Sequence, residues 1–534
     1  MKLKLSLLIL TSAFLLSVPY IIPHTGIVAL IALIPLFTAE YLATENKVKN
    51  FWALYYAGFL IWNIITTYWI WYATHGGAIA AIVLNALQMA IIFRIFRWFR
   101  TIYNNIIPYL AFMVMWICWE HFYVTWQVSW PWLNLGNGFA TNVSLIQWYS
   151  VLGSSGGSLW VILSNILIFY TLVSITSFRR GYVKYLILSL VVIVLPIIIS
   201  LRMYQVNQKI DSNLERREVA ILQPNIDPYN TKFNTSQDEQ NEILFSLAKK
   251  AVTPKSFLVL APETFFNPSK SSGSFYENMP LRNKTSQEFL NFSRENNVNF
   301  IYGAVTQKTT MSRIRPNPYA SYISPSVWLN SYNSAVFNNS EGEISIYHKS
   351  KLVILAESVP IINDKPVFES FGIDLGGGIG NFTPQSYRTL FKTKEGVIIG
   401  TAICYESVFG EFCREYINNG ANLLTVITND GWWRNTPGHI QHLNYARLRA
   451  IETRRYIARS ANTGISAIIN SCGDIVEQTP WWEECYINGE VGINNKITPF
   501  VKWGDLTGLA SSWISLILLI LAFSKRILRR SSIS

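Results

Sequence analysis

The chain has 534 residues, half of which are hydrophobic, and only 14% of them are charged. Soluble domains carry roughly 25% charged residues, so this composition indicates a membrane protein rather than a wholly soluble one. The net charge is +12, yet residues 202–506 contain 30 Lys and Arg against 29 Asp and Glu. A nucleic-acid-binding domain concentrates its basic excess on its own folded part. Because the excess here lies outside that block, we expect no nucleic acid partner.

Eight apolar stretches each approach the ~20 residues that a helix needs to cross the hydrocarbon core of a bilayer. They lie at residues 5–22, 26–43, 51–73, 78–96, 106–126, 159–177, 185–201 and 507–524. Among their few ionisable side chains are Glu120 and His121, which we expect to face the interior of the helix bundle. The sequence therefore predicts a membrane domain of seven helices over 1–201, an outer domain over 202–506, and an eighth helix with a basic tail over 507–534.

Lysine and arginine are enriched on the cytoplasmic side of membrane proteins, so their positions predict the orientation of the helices. The loops at 23–25, 74–77 and 127–158 contain neither residue. The basic residues occupy the alternate loops and the two ends, at Lys2, Lys4, Lys47, Lys49, Arg94, Arg97, Arg100, Arg179, Arg180, Lys184, Lys525, Arg526, Arg529 and Arg530. We therefore expect cytoplasmic termini, with the block 202–506 on the outer face, which is the periplasmic face in a bacterium with two membranes.

The outer block alternates strand-like and helix-like segments, a pattern typical of a layered α/β domain. The strand-like runs are 219–223, 257–261, 299–303, 397–404 and 422–428, and the helix-like segments are 235–251, 285–296 and 439–455. In such sheets, functional side chains gather where strands end and loops begin. We therefore expect the functional residues of this domain to follow its strands.

Three strand-like runs end in a chemically useful side chain, at Glu263, Lys349 and Cys404. Taken singly, each is more often structural: a solvated carboxylate, a surface lysine, and a cysteine packed in the core. Together they form a set for acyl transfer, since an ammonium lowers the pKa of a thiol, a carboxylate takes its proton, and the ammonium stabilises an oxyanion. The sequence alone does not bring the three together in space.

Four motifs resemble those of the nitrilase superfamily in order and spacing. They are Ala261-Pro-Glu263, Tyr347-His-Lys349, Ile403-Cys404-Tyr-Glu406 and Thr428-Asn-Asp-Gly-Trp432. With seven apolar stretches before them and one after, the chain resembles the apolipoprotein N-acyltransferases, which are membrane-embedded members of that superfamily. The resemblance implies an α-β-β-α sandwich, a Glu-Lys-Cys triad and no cofactor or metal.

The resemblance also implies roles for single residues. Glu263 is similar to the general base, Lys349 to the oxyanion-stabilising lysine and Cys404 to the acylated nucleophile. Supporting residues are implied at Glu357, Tyr405, Glu406 and Asn333, and lipid or substrate contacts are expected at Trp432 and Trp433. The chain departs from the family pattern at 354–357, at 432–434 and near 229–233, where Pro-Phe-Gly-Glu, Trp-Phe-Gly and a tryptophan are usual.

The implied reaction moves a fatty acyl chain from a phospholipid, through a Cys404 thioester, to the α-amine of an S-diacylglyceryl-cysteine at the N-terminus of an apolipoprotein. The expected partners are the phospholipid donor, diacylglyceryl apolipoproteins and the bacterial inner membrane, with the enzyme a monomer. A soluble enzyme would have to extract the acyl chain into water, at about 0.8 kcal/mol per CH₂. Trp126, Trp130 and Trp132 are expected at the membrane interface, either in a lipid-facing mouth or in an ordinary aromatic belt.

Several alternatives remain open at this point. The same triad in a membrane-anchored amidohydrolase would use water as the acceptor, and a transporter would use ionisable groups within its spans. His439 and His442 could ligate a metal, although we expect them on the polar face of a helix. Two further cysteines, Cys472 and Cys485, could pair in an oxidising compartment, whereas Cys118 and Cys413 are expected in the core.

Overall fold

The computed structural model describes residues 1–176, 181–230, 232, 234–267, 273–354, 356–358, 361–362, 365–366 and 382–531. Arg179 and Arg180, which contribute to the predicted orientation, lie outside these residues, as do Leu355 and Phe233 from the segments that depart from the family pattern. The chain forms two compact units. The first comprises Met1–Tyr68, Ala78–Val206 and Lys502–Ser534, and the second comprises Trp69–Gly77 and Asn207–Val501.

Helices cover most of each of the eight predicted apolar stretches. In chain order the α-helices are α1 (Lys2–Ile21), α2 (Ile34–Glu45), α3 (Phe51–Thr67), α4 (Ile70–Ala73), α5 (His75–Ile102), α6 (Ile107–Tyr123), α7 (Tyr149–Thr176), α8 (Tyr182–Asp211), α9 (Gln237–Ala251), α10 (Lys284–Glu295), α11 (Gly410–Asn418), α12 (Pro437–Thr453), α13 (Pro499–Trp503) and α14 (Leu506–Ser531). Six helical segments are long and apolar enough to cross a membrane: Lys2–Ile21, Gly26–Glu45, His75–Ile102, Tyr149–Thr176, Tyr182–Asp211 and Leu506–Leu528. The remaining two, α3 and α6, are 17 residues long.

Several helix bounds differ from the predicted ones, including those of the third, sixth and seventh apolar stretches. The third helix ends at Thr67 rather than at residue 73, and Trp69–Gly77 packs within the second unit. The helix α7 begins at Tyr149 rather than at residue 159, because a non-helical Gly153 (φ 68°, ψ −175°) joins two helical pieces across a kink. The helix α8 continues to Asp211, beyond the predicted end at residue 201.

Glu120 and His121 both have partners within the first unit. Glu120 accepts hydrogen bonds from the Trp116 indole (3.0 Å) and from the Leu135 amide (2.9 Å). His121 Nδ1 lies 2.7 Å from the carboxylate of Asp505. Both residues therefore serve the packing of the bundle, as expected.

Two aspects of this unit were not predicted. Glu40, in the second apolar stretch, is fully buried and lies 3.7 Å from Arg97 and 3.2 Å from Arg100. Its carboxylate can be buried because the two arginines compensate its charge. Trp132 is only 1% exposed and stacks on Trp130 with ring centroids 5.2 Å apart. Trp132 therefore packs inside the protein rather than facing lipid, whereas Trp126 is exposed.

The second unit contains the β-structure. Its strands are β1 (Glu215–Gln223), β2 (Ser256–Leu260), β3 (Phe275–Tyr276), β4 (Asn299–Met311), β5 (Ser321–Ser324), β6 (Val327–Asn338), β7 (Ile344–His348), β8 (Ile361–Ile362), β9 (Lys365–Pro366), β10 (Leu390–Lys392), β11 (Ile398–Ile403), β12 (Leu423–Thr428), β13 (Ile457–Ala461), β14 (Ala467–Ile469), β15 (Ile475–Gln478) and β16 (Cys485–Ile493). All five strand-like runs and all three helix-like segments predicted for this region are confirmed, with bounds shifted by a few residues except that β4 runs on to Met311.

Two large sheets organise these strands. The first has the order β16-β1-β2-β4-β6-β5, with β3 added on β4 and β7 on β6, and the second has the order β10-β11-β12-β13-β14-β15. The central pairs β1–β2, β2–β4, β11–β12 and β12–β13 are parallel. Buried parallel strands read as continuous apolar runs because both faces are covered, which is why the sequence revealed them.

The two sheets face each other, with helices outside them. Ser460 of β13 donates a hydrogen bond to the Leu222 carbonyl of β1 over 2.7 Å, so the sheets are in direct contact. The helices α9 and α10 bury Leu244 and Phe289 against the first sheet, and α11 and α12 pack on the second. The arrangement is helix, sheet, sheet, helix. It places the ends of β2, β7 and β11, where the three candidate residues follow, within one α/β domain.

Candidate active site

Cys404 directly follows β11 and has a left-handed backbone conformation, with φ at +52°. Such a conformation is unusual for a residue with a Cβ atom and is maintained only where surrounding contacts enforce it. The Cys404 carbonyl accepts hydrogen bonds from Ser407 Oγ (2.8 Å) and from His442 Nε2 (3.0 Å). A short 3₁₀-helix, Cys404–Val408, begins at the same point. The thiol therefore stands on a sharp turn between a buried strand and a helix.

Glu263 and Lys349 form a buried ion pair. Lys349 Nζ donates to Glu263 Oε1 over 3.0 Å and to Glu357 Oε1 over 2.8 Å, and the side chains of Lys349 and Glu263 are 1% and 7% exposed. Asn333 Nδ2 donates to the same two oxygens, over 2.8 Å and 2.7 Å. Four of the predicted site residues thus meet in one hydrogen-bonded cluster. Within the described part of the chain, the other oxygen of Glu263 makes no hydrogen bond.

The strands explain how these side chains converge. Glu263 follows β2, and Gly303 of the neighbouring β4 lets the backbones approach closely, since a Cβ there would lie 2.5 Å from the Glu263 Cα. Lys349 follows β7, and its amide donates to the Asn333 carbonyl of β6 over 2.8 Å. The lysine and the asparagine therefore leave adjacent strands side by side.

Electrostatics couple this cluster to the thiol. Burial disfavours the charged form of Lys349, but Glu263 and Glu357 outweigh it and hold the pKa of the ammonium well above its ordinary value. Burial raises the pKa of the Cys404 thiol, and the Glu263 charge raises it further, while Lys349 lowers it. The resting site therefore pairs a charged ammonium with a protonated thiol, and Cys404 would need a base to become a thiolate.

Glu406 fastens the Cys404 turn to the Lys349 loop. One carboxylate oxygen accepts from the Tyr347 hydroxyl (2.8 Å) and from the amides of Ser350 (2.6 Å) and Lys351 (3.1 Å). The other oxygen accepts from the Ile403 amide over 2.8 Å. Burial raises the pKa of Glu406 to about 7, although these hydrogen bonds act in the opposite direction. The position supports the predicted supporting role through the backbone on either side of the nucleophile.

Tyr405 and the tryptophan pair lie around this turn. Tyr405 is buried and packs edge-on against Phe409 at 4.9 Å. The Trp433 ring lies 5.4 Å from the His442 ring and 4.7 Å from that of Trp69. Trp432 packs against Tyr229, with ring centroids 5.6 Å apart. Both tryptophans are half-buried, and their contact with lipid stays a prediction.

A buried network behind the nucleophile was missed by the sequence reasoning. Asp430 Oδ1 lies 3.0 Å from His442 Nδ1, and the other oxygen of Asp430 accepts from the guanidinium of Arg459. Although burial opposes ionisation, Arg459 and His442 hold the pKa of Asp430 below its usual range. The sequence contained one indication of this network, which is Arg459, because a charged residue inside a wholly buried strand requires a buried partner.

Lys232 is the second residue that was missed. It is buried, and its Nζ donates to the Thr264 hydroxyl over 2.8 Å, next to Glu263. Burial lowers the pKa of Lys232 to about 8, although the nearby charge of Glu263 acts in the opposite direction. No pattern in the surrounding sequence distinguishes this lysine from a surface residue.

One group of side chains has the composition of a metal site. The ligand atoms of Cys404, Asp430 and His442 lie within 4.8 Å of one another. The guanidinium of Arg459 already contacts Asp430, so a divalent cation there would meet a fixed positive charge. His439 belongs elsewhere, since its ring stacks on Trp481 at 3.7 Å. This set therefore serves as a hydrogen-bonded support rather than as a metal centre.

The remaining cysteines are accounted for by packing. Cys413 is buried on α11, as expected, and Cys118 is partly buried in α6. In the described part of the chain, Cys472 and Cys485 are not joined by a disulfide. The possible pairing considered from sequence is therefore not formed.

Comparison with known proteins agrees with this arrangement. Residues 218–494, which span the two sheets, match the sequence profile described as Carbon-nitrogen hydrolase. The chain belongs to the carbon-nitrogen hydrolase family. Residues 12–167 of this carbon-nitrogen hydrolase also match the Apolipoprotein N-acyltransferase N-terminal domain. The predicted resemblance and the nitrilase-like α/β fold are confirmed, while the count of eight membrane-spanning helices stays a prediction.

Two relatives named apolipoprotein N-acyltransferase align with most of this chain. An apolipoprotein N-acyltransferase of Chlorobaculum tepidum is 27% identical over 491 residues, which cover 90% of this chain and 89% of the relative. One from Geobacter metallireducens is 26% identical, covering 88% of this chain and 85% of the relative. Among solved structures, Nit3 of Saccharomyces cerevisiae is similar at 16% identity, with a TM-score of 0.36, over 52% of this chain and 90% of Nit3.

Proposed function

We propose that this carbon-nitrogen hydrolase is an apolipoprotein N-acyltransferase that carries a fatty acyl chain on Cys404. The observation that carries the proposal is the buried Glu263–Lys349 pair, whose charges act on the thiol at the end of β11. The family assignment and the names of its relatives support the reaction class. The helices that precede and follow the catalytic domain provide the membrane setting that two lipid substrates require.

In the first stage the acyl chain moves from a phospholipid to the enzyme. Glu263 accepts the proton of the Cys404 thiol, and the thiolate attacks the carbonyl carbon of an acyl ester. Lys349 stabilises the oxyanion of the tetrahedral intermediate. As the ester C–O bond breaks, Glu263 returns the proton to the departing oxygen. The products are a lysophospholipid and a thioester on Cys404.

In the second stage the acyl chain moves to the acceptor. The neutral α-amine of an S-diacylglyceryl-cysteine attacks the thioester carbonyl, and Glu263 takes a proton from the attacking nitrogen. The C–S bond breaks as the amide forms, and the proton returns to the Cys404 sulfur. Lys349 is suited to stabilise both oxyanions, because its pKa keeps it charged throughout.

The other residues of the cluster hold these groups in place. Asn333 and Lys349 both donate to Glu263 Oε1, which leaves the second oxygen of this carboxylate to exchange the proton. Glu357 also accepts a hydrogen bond from Lys349 and balances its charge. Glu406 fixes the distance between the turn at Cys404 and the loop after Lys349. These three carry the supporting roles predicted from the sequence.

The membrane arrangement is part of the proposal. Eight helices, six of them long enough by length and apolarity and two of 17 residues, would cross a bacterial inner membrane with both termini in the cytoplasm. The absence of Lys and Arg from alternate loops supports this orientation, in which the catalytic domain would lie in the periplasm. The acyl donor would be a phospholipid of the outer leaflet, and the enzyme would act as a monomer.

A donor-acceptor assay tests the proposal. The purified full chain in detergent micelles receives phospholipid with a labelled acyl chain and a synthetic S-diacylglyceryl peptide. Label in the peptide as an alkali-stable amide supports acyl transfer. Release of labelled free fatty acid, with no labelled peptide, would instead favour hydrolysis with water as the acceptor. The Glu263→Gln variant is the matched control and is expected to give neither product.

A further inference from the structure

Arg434 has a backbone conformation that normally belongs to glycine. Its φ is +52° and its ψ is −163°, close to a region that side chains with a Cβ atom rarely enter. The residue directly follows the 3₁₀-helix Asp430–Trp433 and precedes α12. Strain of this kind is retained where the surroundings require a particular side chain, so the contacts of the Arg434 guanidinium become informative.

Two tyrosine rings hold the guanidinium. Its central carbon lies 5.0 Å from the ring centroid of Tyr72 and 5.3 Å from that of Tyr229. The Tyr229 hydroxyl is itself fixed, at 2.5 Å from the Trp432 carbonyl and 3.3 Å from the Tyr72 carbonyl. Contact with aromatic faces orients a planar guanidinium without neutralising it. Arg434 is therefore a positioned cation at an exposed point of the chain.

No carboxylate neutralises this charge. Within the described part of the chain, no Asp or Glu lies within 4.0 Å of the Arg434 guanidinium, whereas Arg459 and Arg449 each contact an acidic side chain. One contact of the guanidinium is a hydrogen bond with the Tyr229 side chain. A guanidinium has five N–H donors, so it can still bind phosphate oxygens through paired hydrogen bonds. Arg434 therefore has the chemistry to bind an anion.

Contacts through Trp433 and His442 connect Arg434 with Cys404. Trp433, the residue before Arg434, packs against His442, and His442 Nε2 lies 3.0 Å from the Cys404 carbonyl. The strands that lead to the two sites, β11 and β12, are parallel neighbours that end at the same edge of the sheet. A diacyl phospholipid carries its phosphate and its acyl esters on one glycerol, so a donor whose ester reaches Cys404 brings its phosphate to the same edge of the sheet.

We propose that Arg434 binds the phosphate of the phospholipid acyl donor, with Tyr72 and Tyr229 holding its guanidinium. This inference rests on the proposed function and specifies how the donor is recognised. It predicts that Arg434 does not increase the affinity for a lipid that lacks a phosphate. A lipid phosphate and free inorganic phosphate offer the same chemistry, and the lipid is favoured because its acyl ester must reach Cys404.

The test compares lipids with and without phosphate. Arg434→Gly removes the guanidinium and relieves the backbone, so the folded state should be retained. Binding to the full chain in detergent micelles is measured in a Cys404→Ala background, by tryptophan quenching with brominated phosphatidylethanolamine and with diacylglycerol of the same chains. We expect Arg434→Gly to weaken phosphatidylethanolamine binding about tenfold, and to leave diacylglycerol binding unchanged. The affinity of Arg434→Lys for phosphatidylethanolamine should lie between those of the parent protein and Arg434→Gly. Lysine keeps the positive charge but lacks the paired N–H donors of a guanidinium.

Arg313→Gly, at another exposed arginine of the same unit, is the control and should match the parent protein with both lipids. If Arg434→Gly loses affinity equally for both lipids, or for neither, the proposal is overturned. Release of the brominated phosphatidylethanolamine by millimolar inorganic phosphate, lost in Arg434→Gly, would identify free phosphate as the ligand and also overturn it. Because binding is measured without turnover, these results do not depend on the acceptor assay above, in which a failure of the proposed function would appear separately.

Discussion

Lys349 Nζ lies 3.0 Å from Glu263 Oε1, and both side chains are more than nine-tenths buried. A buried ion pair of this kind is not evidence of stability by itself, because desolvation offsets most of the attraction. The ion pair does have a chemical consequence. The lysine stays charged beside the position of an oxyanion, and the carboxylate keeps one oxygen available for a proton.

Breaking this pair should cost stability and activity by different routes. Lys349→Met leaves Glu263 and Glu357 buried without their cation, which should lower the free energy of unfolding by about 3–5 kcal/mol. Adding Glu263→Gln removes one uncompensated charge and should restore part of the lost thermal stability, but no acyl transfer. Thermal unfolding of the full chain in detergent measures the first effect. Equal unfolding temperatures for the single and double variants would show that the two charges are not coupled.

Asn333 should affect turnover more than substrate binding. Its Nδ2 donates to both Glu263 and Glu357, so Asn333→Ala frees the carboxylate that exchanges the proton. We expect kcat to fall roughly 10- to 100-fold, the range for losing a hydrogen bond to a charged group, with little change in KM. Asn330→Ala is the control, because this asparagine of the same strand contacts Asn317 and Thr383 instead. A KM effect without a kcat effect would contradict the assignment.

His442 is expected to hold the strained turn of the nucleophile. It contacts the Cys404 carbonyl and the Ser407 hydroxyl, both at 3.0 Å. His442→Asn should slow formation of the acyl-enzyme about 10- to 100-fold, because small displacements of a nucleophile are costly. His439→Asn lies on the same helix but stacks on Trp481, and it should react at the normal rate. Single-turnover acylation measures both, and equal rates would contradict the role of His442.

Lys232 should make stability depend on pH in the alkaline range. Its pKa is about 8 in the folded protein, below the ordinary value of 10.5, so between these values the unfolded chain binds more protons. The free energy of unfolding should therefore rise with pH across this window, by at most about 3.5 kcal/mol at about 1.4 kcal/mol per pKa unit. Lys232→Met should remove that rise.

The exposed Lys308 provides the comparison for this effect. Lys308→Met should keep the alkaline rise in unfolding temperature between about pH 8 and pH 10.5. If Lys232→Met and Lys308→Met show the same slope as the parent protein, Lys232 does not titrate in the buried position described above.

Local sequence patterns predicted much of the fold and the position of the candidate site residues at the ends of strands. The strands β2, β11 and β12 are continuous apolar runs, and Glu263 and Cys404 were recognisable as polar residues placed at the ends of such runs. The resemblance to a family supplied their roles. These features are local, because they depend on the order of residues within one element.

The features that were missed depend on contacts between distant segments. The left-handed turn at Cys404 is maintained by His442, which comes from α12. The charge of Arg459 is balanced by Asp430 from another strand end, and that of Glu40 by Arg97 and Arg100 from a different helix. Likewise, the third apolar helix ends early because Trp69 packs on Trp433 and donates to Gln441. No local pattern specifies such partners.

The most direct test of the central claim is the mass of the protein after incubation with phospholipid alone. The full chain should gain one fatty acyl group, located by peptide mapping to the segment that contains Cys404. Neutral hydroxylamine should release it, as expected for a thioester, and Cys404→Ala should gain nothing. An acyl group that persists in Cys404→Ala, or that maps to another residue in the parent protein, would contradict the account.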